Sequence, residues 1–336
     1  MVRTFIATVG CAALVPAVAN GAPLQYLSGA GDKAGPVVWL TWGLLLISMA
    51  VVVLISALLI GAIWHRPGQA WVKGERTALL PHGGGLNWLW IGVSVSALVL
   101  LFSVAWTVKV LAGIVAPPQR PVATIEITGH QWWWEVRYLG ADPARQFTTA
   151  NEIHIPVGQP VRLKLDSGDV IHSFWVPQLA GKMDAIPGQT NETWIEADKP
   201  GVYRGQCTEY CGLEHARMGI VLVAQTPADF QKWWAHQLAS PAQPSGAALA
   251  GQGDFQMRCG GCHAVRGTEA AGALGPDLSH LMSRGTIASG MLPNDPRTLR
   301  HWISDPQRYK PGALMPTPEL SPQALKDVEA YLRSLT

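Results

Sequence analysis

Two long stretches without a charged residue dominate the first third of this chain. The first covers residues 35–64 and the second covers residues 83–108. Each exceeds the ~20 residues that an α-helix needs to cross the hydrocarbon core of a bilayer. A soluble core helix of this length without a charge would be unusual. The stretches predict a transmembrane hairpin over residues 36–114, with helices at about 36–63 and about 86–110.

The basic residues around the two stretches indicate how the hairpin crosses the membrane. Arg66, Lys73 and Arg76 lie between the stretches, whereas only Lys33 lies just before the first one. Loops rich in Lys and Arg remain preferentially in the cytoplasm. The chain is therefore expected to cross a membrane twice, with everything after about residue 115 on the periplasmic side.

The N-terminus has the pattern of a secretory signal peptide over residues 1–19. This segment contains Arg3, an apolar run over residues 5–18, and a small-x-small cleavage pattern at residues 17–19. An uncleaved N-terminal segment is the alternative. Cys11 could also be a lipid acceptor, although a polar residue stands where the lipidation pattern has a Leu-like one.

Residues 121–224 change to short alternating apolar runs that are separated by turn residues. Turns are indicated at residues 156–158, 166–168 and 187–188. Regular short strands with such punctuation predict an all-β domain, either a sandwich or a Greek-key barrel. The charged fraction of 14% and the hydrophobic fraction of 48% fit membrane segments joined to water-soluble domains, and the net charge of +2 gives no indication of a nucleic-acid partner.

Four of the five cysteines form two close pairs with histidines nearby, which favours metal or haem chemistry over a disulfide framework. The first pair, Cys207 and Cys211, is followed by His215 and Met218 in the same segment. Thiolate, thioether and imidazole donors select copper over hard cations, and two thiolates can bridge two metal ions. His172 supplies a second imidazole from an earlier strand end. A Cys207–Cys211 disulfide with structural His and Met neighbours is the alternative.

The second pair lies in Cys259-Gly-Gly-Cys262-His263, the C-x-x-C-H pattern of covalent haem attachment. The two thiols can form thioethers with one haem while His263 binds the iron. The candidate sixth ligands are Met282, Met291 and Met315. Met315 is preferred because it stands in a Gly-x-x-Met-Pro loop, and methionine ligation raises the potential of the iron.

The composition of residues 225–247, rich in Ala, Pro, Ser and Gly, predicts a linker that begins with a short amphipathic piece at residues 227–238. The haem domain would then occupy residues 248–336. Ser321 and Pro322 predict the start of its last helix, as N-cap and first helical residue.

The copper motif, together with Gly129-His-Gln-Trp132 and residues 184–188, resembles subunit II of cytochrome c oxidase over roughly residues 36–224. The resemblance implies a cupredoxin fold with the binuclear copper centre CuA. The implied ligands are two bridging thiolates, one histidine for each copper, a thioether and a backbone carbonyl, namely Cys207, Cys211, His172, His215, Met218 and the oxygen of Glu209.

Two further roles follow only from this resemblance. In the family, the carboxylate of the residue matching Glu209 also reaches a magnesium ion at the interface with subunit I. Trp132 matches the residue through which electrons reach the copper, although core packing is an alternative for it. Trp133 and Trp134 are expected to be packing residues.

The segment around Met315 resembles small class I cytochromes c, which are all-α, and the order of domains resembles the caa-type oxidases. The implied function is passage of electrons from a cytochrome c or a quinol-oxidising complex through haem c and CuA to subunit I. There oxygen is reduced to water with proton translocation, in a complex that also contains subunit III and membrane lipid. The alternatives are the copper subunit of a nitric oxide reductase, a quinol oxidase subunit, which would lack the copper ligands, and a free-standing membrane cytochrome.

One position departs from the family pattern. The family often has a Glu-x-x-Trp sequence at the start of the second helix, where the glutamate serves a proton channel. Here Asn87 precedes Trp88 and Trp90, and no carboxylate stands beside them. The role of this position in proton uptake is therefore in doubt.

Overall fold

The computed structural model describes residues 24–64, 85–140 and 142–336. Two helices open the described chain, α1 over Gly35–Trp64 and α2 over Gly85–Ile114. Their large apolar side chains are mostly exposed, and both helices are long and apolar enough to cross a membrane. Apolar helices left uncovered by protein are stable where lipid covers them. The chain is therefore a membrane protein, and α2 ends four residues later than predicted.

Several predictions fall outside the described residues. They are the signal peptide at residues 1–19, the possible lipid acceptor Cys11, and the basic loop residues Arg66, Lys73 and Arg76.

The β domain that follows is attached directly to the ends of both helices. Before α1, the amide of Ala30 donates to the carbonyl of Gln178 over 2.7 Å. After α2, the carbonyl of Ile114 accepts a hydrogen bond from the indole Nε1 of Trp194 over 3.0 Å. The start of α1 and the end of α2 therefore lie at the same face of the β domain.

The β domain consists of ten strands in two main sheets and one short pair. The strands are β1 Ala123–His130, β2 Trp133–Leu139, β3 Phe147–Ala150, β4 Glu152–Pro156, β5 Val161–Ser167, β6 His172–Phe174, β7 Met183–Ala185, β8 Asn191–Ile195, β9 Gly201–Gln206 and β10 Gly219–Gln225. The sheets have the orders β3-β2-β1-β5-β8 and β4-β10-β9, and β6 pairs with β7. Alternate side chains such as Ile125, Ile127 and Leu163 are fully buried between the sheets. This arrangement confirms the predicted all-β cupredoxin class.

The amphipathic piece predicted within the linker belongs to the β domain. It forms α3 over Pro227–Leu238, with Thr226 as N-cap accepting from the amide of Asp229. Phe230 and Trp234, four residues apart on one helix face, are buried in the core of the β domain. Burial of this aromatic face fixes the helix to the sheets, so the segment that joins the two domains is shorter than the predicted residues 225–247.

The C-terminal domain is helical, as predicted for a cytochrome c. It contains α4 Ala247–Arg258, α5 Pro296–Ser304 and α6 Pro322–Ser334, with two short strands, β11 Thr286–Ile287 and β12 Leu292–Pro293, that were not predicted. Ser321 caps α6 by accepting from the amide of Ala324. Helices α4 and α6 approach so closely that a Cβ at Gly251 would lie 1.8 Å from the carbonyl oxygen of Asp327, which makes glycine necessary there.

The loop around β11 and β12 rests on the β domain. The amide of Gly285 donates to the Glu152 carboxylate over 2.9 Å. The guanidinium of Arg204 donates to the carbonyl of Gly290 over 3.3 Å. These bonds fix the C-terminal domain beside β4 and β9, the two outer strands of the three-stranded sheet.

Candidate metal centre and haem site

The predicted copper ligands come from two places in the β domain. Cys207, Cys211 and Met218 lie in the loop between β9 and β10, whereas His172 begins β6. All four side chains are at most 2% exposed, and His215 in the same loop is half-buried. The fold therefore gathers soft donors into a site from which water is largely excluded.

The distances within this cluster are those of separate donor atoms. The Sγ atoms of Cys207 and Cys211 are 3.8 Å apart, far beyond the ~2.05 Å of a disulfide bond. The Nδ1 of His172 lies 3.9 Å from the Cys207 sulfur, and the Nδ1 of His215 lies 3.5 Å from the Cys211 sulfur. The Met218 sulfur is 3.8 Å from that of Cys211. This loop therefore does not form the alternative disulfide between Cys207 and Cys211.

Glu209 contributes to the cluster through its backbone. Its carbonyl oxygen lies 3.3 Å from the Cys207 sulfur. The residue as a whole is exposed. Its side chain is therefore available to a group outside the cluster.

The two thiols differ in acidity because they share one hydrogen bond. Donation from Cys211, supported by His172, lowers the pKa of Cys207 to about 4. The same interaction raises the pKa of Cys211. Cys207 is therefore the more acidic of the two thiols. The thiolate is the form that binds metal, so a cation bound at either sulfur would favour loss of its proton.

Asp169 sets the orientation of the His172 ring. One of its carboxylate oxygens lies 2.8 Å from Nε2 of His172 and the other accepts from the amide of Gln131 over 2.7 Å. Burial opposes protonation of His172, but its contacts with Cys207 and Asp169 raise its pKa. Because the carboxylate requires a proton on Nε2, Nδ1 is the nitrogen left to bind a metal. Asp169 stands only three residues before His172, so this closeness in sequence could have indicated the contact.

Gly129 makes room for the same ring. A Cβ at this position would lie 2.6 Å from Cδ2 of His172. The glycine of the Gly-His-Gln-Trp motif therefore allows β1 to pass directly against the imidazole.

Trp132 contacts the copper loop through a hydrogen bond. Its Nε1 donates to the backbone carbonyl of Cys211 over 2.9 Å, and the side-chain amide of Gln131 donates to the same oxygen over 2.6 Å. Trp132 is only 9% exposed. The indole thus joins the β1–β2 turn to a predicted copper ligand, a contact that sequence reasoning did not identify.

The neighbouring tryptophans lie in packing positions. Trp134 is fully buried in the β core. Trp133 stacks on the ring of His130 with centroids 4.7 Å apart. His154 stacks on Trp233 of α3 in the same way.

The C-x-x-C-H segment follows the end of α4 and leaves one nitrogen of His263 free. Nδ1 of His263 lies 2.8 Å from the carbonyl oxygen of Pro276, which requires Nδ1 to carry the proton. Burial lowers the pKa of His263, which favours the neutral ring. A Cβ at Gly275 would lie 2.7 Å from Cε1 of this ring. The loop at residues 275–276 therefore orients the imidazole and leaves Nε2 as the iron-binding atom.

The methionine loop is held in place by Gln307. The side-chain amide of Gln307 donates to the carbonyl of Met315 over 2.7 Å and to that of Ala313 over 2.8 Å. Met282 packs against the core of the C-terminal domain, and Met291 lies in a cleft against the β domain. Met315, in the Gly-x-x-Met-Pro loop, stays the predicted sixth ligand. No pattern in the sequence pointed to Gln307.

The donor sets fit the two groups that the motifs imply. Two sulfurs, two imidazole nitrogens and a thioether suit copper better than a hard cation. Two unpaired thiols, a neutral histidine with a free Nε2, and a methionine loop suit a covalent haem.

Comparison with known proteins supports the same division of the chain. The family described as cytochrome c oxidase subunit II, periplasmic domain, matches residues 139–225. The family described as cytochrome c matches residues 248–336.

The chain is also similar to individual proteins. It is 42% identical to cytochrome c oxidase subunit 2 of Alkalihalophilus pseudofirmus over 63% of this chain and 60% of that protein. It is 30% identical to cytochrome c oxidase subunit 2 of Zea mays over 56% of this chain and 79% of that protein. The crystal structure of the periplasmic domain of Bradyrhizobium japonicum cytochrome oxidase subunit II is 34% identical, with 35% of this chain and 95% of that one covered and a TM-score of 0.32.

The chain spans about three fifths of the Alkalihalophilus protein, for which the covered share is 60%. It spans four fifths of the plant protein, for which the share is 79%. With its matching domain and a full set of soft donors, the chain belongs to the cytochrome c oxidase subunit II family, and a cytochrome c domain follows its β domain.

Proposed function

We propose that this chain is the subunit through which electrons enter a haem-copper oxidase. Electrons pass from a donor through haem c to a binuclear copper centre and on to subunit I, where oxygen is reduced to water with proton translocation. The observation that carries this proposal is the cluster of two free cysteine sulfurs 3.8 Å apart with imidazole and thioether donors around them. A quinol oxidase subunit would not need such a cluster.

The proposed copper ligands are the residues whose donor atoms face the cluster. Cys207 and Cys211 would bridge the two coppers, and His172 and His215 would bind one copper each. The remaining positions would be filled by Met218 and by the backbone oxygen of Glu209. In the haem domain, the proposed covalent and axial ligands are Cys259, Cys262, His263 and Met315. When bound, the two groups supply one-electron couples that the protein itself lacks.

The chain's own residues restrain the side chains that would hold these groups, and burial excludes water from most of the copper cluster. Asp169 and the Pro276 carbonyl each fix the tautomer of a ligand histidine. The buried cysteines hold their positions on a loop that is tied to two strands. A site held in this way changes little when an electron arrives, which favours fast transfer. The indole of Trp132, which donates to the backbone carbonyl of Cys211, would offer electrons a route into the cluster.

The location and partners follow from the membrane helices. We place the chain in a bacterial inner membrane with both folded domains on the periplasmic side, next to subunit I and subunit III. The exposed apolar faces of α1 and α2 would contact lipid or these subunits. The donor would be a cytochrome c or a quinol-oxidising complex.

Two positions concern groups shared with subunit I. The exposed carboxylate of Glu209 would bind a magnesium ion at that interface. Asn87, which is exposed on α2, cannot take up a proton. We therefore propose that protons reach subunit I by a route that does not use this position.

The purified complex tests the proposed function. We expect two coppers and one haem c for each copy of this chain, and consumption of oxygen rather than nitric oxide when a reduced donor is added. A complex that reduces nitric oxide but not oxygen would identify a nitric oxide reductase. Purification of the chain without any large haem-bearing subunit would favour a free-standing cytochrome.

Met218→Leu should retain copper but change its reduction potential. The thioether is a weak ligand, and leucine fills nearly the same volume without offering a donor atom. Spectroelectrochemical titration of the variant would measure the shift, with Met257→Leu, an exposed position, as the control. An unchanged potential in Met218→Leu would remove Met218 from the ligand set.

A further inference from the structure

A buried lysine joins the haem domain to the turn that carries Trp132. Lys310 is 3% exposed. Its ammonium group donates to the backbone carbonyl of Trp132 and, over 3.0 Å, to Oγ of Ser289. The Ser289 hydroxyl donates to the same Trp132 oxygen over 2.8 Å. One carbonyl of the β domain therefore accepts two hydrogen bonds from the haem domain.

Burial of a cation at this place costs free energy. Such a cost is expected only where a specific arrangement depends on the charge. Burial lowers the pKa of Lys310 to about 8, so the amine remains largely protonated at pH 7. The titratable groups that act on it are the Glu214 carboxylate, the Arg217 guanidinium and the Cys211 thiol. Packing alone would be served by an apolar side chain of the same length, without desolvation of a charge.

The lysine and the serine also connect to the two sites. Lys310 directly precedes the loop at residues 311–316 that contains Met315. The carbonyl of Ser289 accepts from the amide of Gly219, the residue that follows Met218. Trp132 in turn donates its indole N–H to Cys211. The bonds therefore link the methionine loop of the haem domain to the copper loop by way of Trp132.

We propose that Lys310 and Ser289 are positioning residues that hold the haem domain against Trp132 and so fix the distance for electron transfer to the copper loop. This inference rests on the proposed function. Transfer slows steeply with distance, so a domain that leaves this position for part of the time passes electrons more slowly. The same bonds cover the Trp132 turn, so an external donor protein does not contact this turn directly.

The test compares Lys310→Met, Ser289→Ala and the double variant in the purified complex. After rapid photoreduction of haem c, its reoxidation and the reduction of copper are followed optically. We expect transfer to slow in each single variant, because one of the two donors to the Trp132 carbonyl is lost. The slowing should be smaller than in the double variant, because the other donor still holds this carbonyl. In the double variant, which loses a charge-assisted and a neutral hydrogen bond together, we expect slowing by at least about tenfold. Lys326→Met, at an exposed lysine on α6, is the matched control.

Other readouts separate positioning from a general loss of structure. The haem and copper spectra and potentials should match those of the wild type, and so should oxygen reduction driven by a small reductant that acts at copper. Wild-type transfer in the double variant, or equal slowing in Lys326→Met, would overturn the inference. If Lys310→Met fails to assemble, Ser289→Ala decides alone, and an unchanged rate in it counts against the inference. Failure of wild-type haem c to reduce copper would instead refute the proposed function.

Discussion

Cys211→Ser should abolish the binuclear copper centre while the β domain remains folded. The remaining Cys207 thiolate cannot form a core with two sulfur bridges, and a serine hydroxyl is a poor ligand for copper. The side chain is buried, but serine is close in size, so the two sheets should keep their packing. We expect copper analysis to give less than two ions per chain and donor-driven oxygen reduction to be lost.

Thr208→Ser, in the same loop but outside the donor cluster, is the control for this experiment and should keep both coppers. Two coppers with an unchanged spectrum in Cys211→Ser would show that the sulfur of Cys211 does not bridge the metals.

His263→Ala should separate the two ways of delivering electrons. The variant lacks the imidazole that would bind the haem iron, so oxidation of an external donor should fall to a small fraction of the wild-type rate. Oxygen reduction driven by a small reductant that acts directly at copper should continue, because no copper ligand has changed. Trp132 is only 9% exposed, so a large donor protein has little direct contact with its indole.

The control here is His236→Ala, at an exposed histidine of α3, which should retain both activities. Both activities are measured on complexes with normal copper content. An equal loss of both in assembled His263→Ala complex would contradict the order of haem before copper.

The parts of the site that lie close together in sequence were predictable. The copper loop places Cys207, Cys211, His215 and Met218 within one connection between two strands, so their spacing alone indicated a shared site. His263 was predictable for the same reason, because it directly follows Cys262 in the sequence. The capping residues of α6 were also evident, because Ser321 and Pro322 act on the turn that follows them.

The parts that depend on tertiary packing were not predictable. The amphipathic pattern of residues 227–238 indicated a helix, but not which domain would cover Phe230 and Trp234. Lys310 and Ser289 are far from Trp132 in sequence and meet it only because two folded domains dock. The hydrogen bonds that Gln307 donates to backbone carbonyls were not predictable either. Every residue has a backbone carbonyl, so the sequence does not show which one accepts.

We propose that electrons reach the copper centre through the haem of the same chain. The most direct measurement mixes reduced donor with the oxidised complex and follows the optical bands of haem c and of the copper centre in time. We expect haem c to be reduced first and its reoxidation to coincide with reduction of copper. Reduction of copper before haem c, or at an unchanged rate in a chain without the haem, would contradict it.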